Sequence, residues 1–425
     1  KGGFEVILKK LLSSIVFIFQ IPIYVLSIPI VIVLRILSGI YLIRLCELNS
    51  SRIGHFAKET ELIYLENKEL INTPNQKYLN LFFFNKYISN HQLAKMWKRK
   101  LNILPRWLIF PLKKTNDFIN IFISDNEKHQ IVKSNMTMTK DKNNLLEKTS
   151  PSISFNDDEE KKGQKLLLQL GITKKDKFVC LGIRDSAYLA SRSKDRDYSY
   201  HDYRDGKLEA FILASEELTR RGYFVIRMGA KVLEKLNTDN PKILDYANMD
   251  IRSDFLDIYL ASKCRFCIST DYGLDEVMVI FRKPILYIGV APIGTMETHN
   301  KNTLILFKEH IDIKNKKMLS ISQIFERNLS AAFKSDLYKK NNVQLIHNTN
   351  EDIKNAAIEM DERLNNKWKD TNEETLLQKD FWKIFETNIK KKDFVNYEIK
   401  EGKQHGILKS RIGSSFLKKI NENIK

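Results

Sequence analysis

The hydrophobic positions of this chain change rhythm several times, and each change predicts an element. From Leu11 to Leu34 the run LLSSIVFIFQIPIYVLSIPIVIVL carries no charge. It exceeds the ~18 to 20 residues that span a bilayer as a helix. Pro22 and Pro29 each remove a backbone donor and predict a kink, which suits a helix that enters and returns on one face. A crossing helix and a buried core helix are the competing readings. Ile40 to Leu48 then reads as a buried strand, followed by the loop NSSRIGH and a helix. Between Ser124 and Gly163 periodicity disappears and Asn, Lys, Ser and Asp dominate, which predicts an interdomain linker. Beyond it, Phe178–Arg184, Tyr223–Gly229, Lys242–Asn248, Arg265–Thr270 and Lys283–Gly289 read as strands. Between them Leu208, Phe211, Ile212 and Leu218 recur at helical spacing, and SDFLDIYLAS and LDEVMVIFR read as helices. Strands alternating with helices predict a parallel sheet wound by right-handed crossovers. Near the end, Ile353, Ala357, Met360 and Leu364 form one stripe of an amphipathic helix.

At 425 residues the chain has room for two or three domains, and 43% hydrophobic with 29% charged residues is ordinary for a globular protein. The net charge of +18 favours anionic partners. From His91 to Thr115 there are seven Lys/Arg and no Asp or Glu, with Trp97 and Trp107 among them. That combination suits a membrane surface, or equally a solvated basic helix over an acceptor groove. Lys9 and Lys10 precede the apolar run and Arg35 and Arg44 follow it, so the positive-inside rule does not orient it. No small-residue cleavage site follows, which argues against a signal peptide. Four cysteines are too few for a disulfide scaffold, and Cys264-x-x-Cys267 has no second ligand pair nearby, so buried, reduced thiols are expected. Asp195-Arg196-Asp197 has the letters of a metal-binding D-x-D but no strand directly before it. The chain has no P-loop, G-x-G-x-x-G, G-x-S-x-G or H-E-x-x-H, which removes the usual support for kinase, dehydrogenase, hydrolase and protease chemistry.

Ligands of open parallel sheets bind at the C-terminal strand ends, and here those ends are polar. The first strand runs into Arg184, Asp185 and Ser186. The second carries Arg227 and ends at Gly229. The strand from Arg265 runs into Ser269, Thr270, Asp271, Tyr272 and Gly273, where a helix begins at once. Backbone N–H groups and a helix N-terminus at that junction suit a phosphate, and Gly273 permits close approach. The same residues would also serve as simple helix caps. Arg184, Arg227 and Arg252 near one sheet edge favour a site.

Several short patterns then recur in order: Arg184-Asp185-Ser186-x-Tyr188, His201-Asp202-Tyr203-Arg204, Val225 to Gly229, Arg252 to Asp257, Ile268 to Asp275 and Phe281 to Pro284. Arg52 to His55 (R-I-G-H) and Arg411 to Leu417 (R-I-G-x-x-F-L) join them. Together they resemble a little-characterised group of bacterial glycosyltransferases associated with surface-polysaccharide synthesis, over nearly the whole chain apart from the linker. Thr270-x-x-Gly273 before an acidic residue, with Lys283-Pro284 and an apolar strand after it, is also similar to the donor segment of GT-B enzymes. Asp271-x-Gly273 is similar to the D-x-G of heptosyltransferase-like members. Tyr272 stands where a small residue is expected, and either Asp275 or Glu276 is left to hold sugar or ribose hydroxyls.

The resemblance implies a GT-B-like α/β fold of two Rossmann-like domains with parallel sheets, plus an N-terminal apolar membrane helix. The implied division is a membrane-associated helix over 1–40, an acceptor-side domain over 41–165, a donor-binding domain over 166–345 and C-terminal helices over 346–425. It implies transfer of a sugar from a nucleotide-sugar donor to a glycan or lipid-linked acceptor, without a metal or other cofactor, on the cytoplasmic face of the inner membrane. Arg184, Arg227 and Arg252 would stabilise the leaving diphosphate, with Asp185, Gly229, Asp254, Ser269, Thr270, Asp271, Gly273 and Asp275 completing the donor site. His55 would be the base, with His201 and Asp202 behind it. A sugar-nucleotide epimerase of the same fold is the first alternative. A basic scaffold or nucleic-acid-binding protein is the second, although no recognised nucleic-acid-binding motif is present and no such partner is expected.

Overall fold

The computed structural model describes residues 21–123, 128–131, 141–185, 199–389 and 405–424. They form two compact units. The first comprises residues up to Arg52, Ile63–Asn90 and Ala94–Ser134, and the second comprises Ile53–Leu62, His91–Leu93 and everything from Asn135 onward.

In the first unit, strand β1 (Leu42–Leu48) pairs in parallel with β2 (Tyr78–Phe84), Leu42 opposite Tyr78 through Leu48 opposite Phe84. Helix α1 (Ile21–Gly39) precedes them and runs through Pro22 and Pro29. Among the described residues it is the one helix long and apolar enough to cross a membrane. Helix α2 (Ile53–Lys68) gives its first ten residues to the second unit and the rest to the first. Helix α3 (His91–Lys98) is followed by α4 (Arg106–Phe122), whose Ile109 packs with Leu45 and Phe83 into a small core. β2 passes unnoticed in the sequence because Asn80 interrupts its apolar run. In the fold Asn80 accepts from the Arg44 guanidinium at 2.8 Å.

The second unit is built on a seven-stranded sheet. Its strands are β3 (Lys177–Gly182), β4 (Tyr223–Met228), β5 (Ile243–Leu244), β6 (Cys267–Ser269), β7 (Ile285–Val290), β8 (Thr303–Phe307) and β12 (Arg411–Ile412). The order across the sheet is β12-β8-β7-β6-β3-β4-β5, every pairing parallel. From β3 the chain winds outward one way through β4 and β5, then returns to the centre and winds the other way through β6, β7 and β8. The expected parallel α/β sheet is therefore present, with the strand order of a doubly wound fold and its reversal point between β3 and β6. The expectation of two Rossmann-like domains thus meets seven parallel strands in this unit and two in the first. A separate antiparallel sheet joins β9 (Glu309–Asp312), β10 (Lys317–Met318) and β11 (Val343–Ile346).

Helix Asp157–Gln169 begins inside the stretch expected to be linker. Its first turns are too polar to show periodicity, and a capping box between Asn156 and Glu159 starts it instead. The amphipathic helix expected near the C-terminus is Asn350–Leu364, started by a box between Thr349 and Asp352. The tripeptide R-I-G ends in two different structures: Arg411–Ile412 is the edge strand β12, while Ile53 and Gly54 open α2.

Candidate functional site

All of the following groups belong to the second unit. At the reversal point the ends of β3 and β6 are stitched together. The Thr270 N–H donates to the Gly182 carbonyl at 3.0 Å, and the Arg184 N–H donates to Thr270 Oγ1 at 2.7 Å. Tyr272, expected to crowd this junction, turns beneath it: a Cβ on Gly182 would lie 1.9 Å from the Tyr272 ring, so glycine is required there. Its hydroxyl is buried without a partner among the described residues. The chain then turns through Asp271, whose φ of 56° lies in the left-handed region. Asp residues tolerate that region better than most. The Asp271 N–H donates to Ser269 Oγ at 3.1 Å, and the Arg204 guanidinium donates to both the carbonyl and the carboxylate of Asp271 at 2.7 Å.

A cluster of cations gathers on this edge. Arg184 Nε meets Asp205 Oδ1 at 3.2 Å. Lys308, directly after β8 and 2% exposed, donates from Nζ to the carbonyls of Tyr203 (2.7 Å) and Asp205 (3.0 Å). Burial lowers the Lys308 pKa to about 8, with Asp205 pulling it up and Arg184, Arg204 and Lys207 pushing it further down. Burial also lowers Arg184, with Arg204 adding to the effect, and raises Asp205. A cleft of about 280 Å³ opens here, with Arg204, Lys207, Thr270, Lys308, His347 and Asn348 in its wall. Burial, then Lys308 and Lys207, lower His347 to about 4, so it is neutral at pH 7. Asn348 is 4% exposed, and its Oδ1 has no hydrogen-bond partner among the described residues while its Nδ2 donates to the Phe307 carbonyl. The wall therefore offers positive charge together with one buried acceptor awaiting a donor.

The first ten residues of α2 adjoin the same turn. Gly54 lies on Gly273: a Cβ there would be 3.0 Å from the Gly273 carbonyl oxygen. Three ion pairs fasten this half-helix to the unit. Lys58, fully buried, meets Glu297 at 2.8 Å and Glu276 at 3.2 Å, and Arg282 meets Glu61 at 2.7 Å. Burial opposes the charge on Lys58, but Glu276 and Glu297 outweigh it and hold its pKa above the usual lysine range. His55 follows Gly54, and its Nδ1 shares a 2.5 Å hydrogen bond with Glu59 Oε1. That bond assigns Nδ1 to the carboxylate and leaves Nε2 available as an acceptor.

The remaining expected site residues are distributed as follows. Ser269 and Asp275 face each other inside the fold at 2.7 Å, and burial, then Glu276 and Asp271, push Asp275 well above the usual carboxylate range. Buried and bonded to Ser269, Asp275 does not offer itself to hydroxyls, and Glu276 is engaged by Lys58. Asp185 accepts from the Leu233 N–H at 3.0 Å. At the neighbouring strand end, Arg227 donates to the Glu234 carbonyl at 2.6 Å, and Arg252 to the Gly229 carbonyl and Asp257, both at 2.9 Å. Asp254 accepts from the His91 N–H at 2.7 Å. Arg227, Gly229, Arg252 and Asp254 are thus held in internal bonds beside the cation cluster. Asp202 is exposed on the turn Ser199–Arg204. The His201 side chain, Ser186, Tyr188, Asp195 and Asp197 lie outside the described residues. Among the described residues no three His, Cys, Asp or Glu are grouped to hold a metal, and the unit's three cysteines, Cys180, Cys264 and Cys267, are buried and form no disulfide.

The sequence reading assigned no role to Arg204, Asp205, Lys207, Lys308, His347 or Asn348. Arg204 was visible within H-D-Y-R. Lys308 had one available signal, its position after the apolar run Thr303–Phe307.

No protein-family model matches the chain, and no curated protein matches it. Two solved structures are similar to parts of it. The glycosyl transferase family 9 protein from Veillonella parvula DSM 2008 is 12% identical with a TM-score of 0.36, covering 62% of this chain and 85% of that one. The ADP-heptose lps heptosyltransferase II from E. coli is 12% identical with a TM-score of 0.37, covering 62% of this chain and 90% of that one.

Proposed function

We propose that this chain is a metal-independent glycosyltransferase of GT-B type that moves a sugar from a nucleotide-sugar donor to a glycan or lipid-linked acceptor in surface-polysaccharide synthesis. We assign the donor side to residues 166–345, the acceptor side to residues 41–165 and the working position to the cytoplasmic face of the inner membrane. One observation carries the reading: Arg184, Arg204 and Lys308 converge at the reversal point of a parallel sheet, beside a cleft in whose wall a buried acceptor has no partner among the described residues.

Breaking a sugar–phosphate bond leaves a diphosphate whose growing negative charge must be stabilised. Arg184, Arg204 and Lys308 are positioned to do so in a partly buried setting, where each charge acts more strongly than in water, with the exposed Lys207 beside them. The free Asn348 Oδ1 would accept from a hydroxyl or amine of the donor. In an inverting course the acceptor oxygen bonds to the anomeric carbon as the carbon–oxygen bond to the diphosphate breaks. His55 Nε2 takes the acceptor proton, and Glu59 steadies the imidazolium that forms.

The test is a thermal-shift screen of the full chain in detergent against UDP, GDP, CMP, ADP and dTDP. Stabilisation by one nucleotide, lost in Lys308→Met, is the expected result. If a folded sample is stabilised by none of them, the donor-site assignment fails.

A further inference from the structure

The first unit carries an apolar surface that its described residues leave uncovered. The most apolar window of α1 has a mean hydropathy of 2.2 and is only 11% buried. One narrow face turns inward at Ser27 and Val31, 3% and 1% exposed, while Val25, Leu26, Val33 and Ile36 stay open. Helix α4 adds Phe118, Ile121 and Phe122, which are 62%, 74% and 73% exposed.

The two helices are fastened along their length. Ser27 and Thr115 share a hydroxyl hydrogen bond of 2.5 Å. Arg35 donates to Asn116 and Asn120, both at 2.8 Å, and to the Ile123 carbonyl at 2.9 Å. From Ser27 to Arg35 is about 12 Å of helix, so α1 is held to α4 over roughly two turns. α4 carries Lys113, Lys114 and Asp117 near its middle, and a helix so charged does not cross a bilayer facing lipid. Bound to it, α1 shares its depth. The remaining question is what covers the apolar face. Seven Lys/Arg without one Asp or Glu between His91 and Thr115 lead into and along α4, and Trp107 in its first turn is 72% exposed. Cations and an interfacial aromatic beside an apolar face match anionic headgroups over acyl chains. A second copy would bring the same cations against them.

We propose that α1 and α4 together form a two-helix wedge that inserts into one leaflet of an anionic membrane, with Phe118, Ile121 and Phe122 of α4 as a second insertion element. This stands independently of the glycosyltransferase reading. The test uses the full chain carrying Phe122→Cys labelled with an environment-sensitive dye, since the four native cysteines are buried. On addition of phosphatidylcholine vesicles containing phosphatidylglycerol, the dye emission should shift to the blue and be quenched by acyl-chain spin labels. Phe118→Asp with Ile121→Asp should lower vesicle flotation by at least about tenfold while leaving the thermal melt in place, because both side chains are exposed. Unshifted emission together with unchanged flotation of the double variant would overturn the proposal, leaving α1 as the sole anchor. A blue shift that needs no vesicles and disappears on dilution would also overturn it, assigning the face to a second copy.

Discussion

Lys308 leaves the end of β8 with its Nζ enclosed between the carbonyls of Tyr203 and Asp205. Burial loosens its proton, so in the free protein its charge is present below about pH 8 and fades above it. A bound diphosphate needs that charge and raises the pKa again. Affinity for the nucleotide should therefore fall as pH rises through 8, by up to about tenfold per pH unit, in calorimetric titrations on either side of that value. Lys308→Met should weaken binding by about one to two orders of magnitude and flatten the profile. The folding stability of the free protein should move the opposite way. The folded pKa lies below lysine's ordinary 10.5, so stability rises as pH climbs from about 8 toward that value. Asp271 poses a different residue-scale question, because it combines a φ of 56° with a carboxylate bonded to Arg204. Asp271→Asn keeps a side chain that tolerates the left-handed region. Asp271→Val does not, and should unfold with about 1–2 kcal/mol less denaturation free energy.

The helix Asp254–Lys263 and the strand end before it show what a sequence conceals about its own arginines. Arg227 and Arg252 follow strand positions that invite a phosphate, yet β4 and its neighbours use both guanidinium groups internally. Arg252→Ala should cost about 1–3 kcal/mol, less than breaking a fully buried pair, and leave nucleotide affinity unchanged. A lost nucleotide response in a folded Arg252→Ala sample would return that arginine to the donor site. Its partner Asp257 supplies a pH signature. Burial raises it to about 6, with Arg252 and the Tyr246 hydroxyl pulling it back. Its folded pKa exceeds its ordinary 3.8, so the associated stability is complete below about pH 4 and is lost as pH rises through 6. The central strands were legible because β3, β4, β6 and β7 are apolar runs buried on both faces. The two-residue strands β10 and β12 carry too few positions for any period to show. Lys308 was illegible for a related reason: whether a lysine after an apolar run is buried depends on which strand ends surround it.

At the scale of the whole molecule, the charge of +18 does not have one purpose. In the second unit Arg184, Arg204 and Lys308 sit within hydrogen-bonded contact of Asp205, Asp271 and backbone carbonyls, partly withdrawn from solvent. In the first unit Lys100 and Lys114 face water, beside apolar side chains that do the same. Composition sums the two sets, and so it suggested anionic partners without separating a small phosphorylated ligand from a lipid surface. Salt separates them. Raising the ionic strength from about 0.1 M to about 1 M shortens the screening length from about 10 Å to about 3 Å, which erases most attraction between exposed lysines and a charged bilayer. Ion pairs inside a cleft are screened much less. Flotation of the full chain on phosphatidylglycerol vesicles should therefore weaken with salt toward a plateau set by the apolar wedge, while nucleotide affinity at the Lys308 cluster changes only modestly. If nucleotide affinity falls as steeply as flotation, the cations that bind it are exposed ones, and the buried cluster at the ends of β3, β6 and β8 is not the donor site. If flotation does not respond to salt at all, the basic run from His91 to Thr115 makes no contact with headgroups, and the apolar faces of α1 and α4 alone would hold the protein to the membrane.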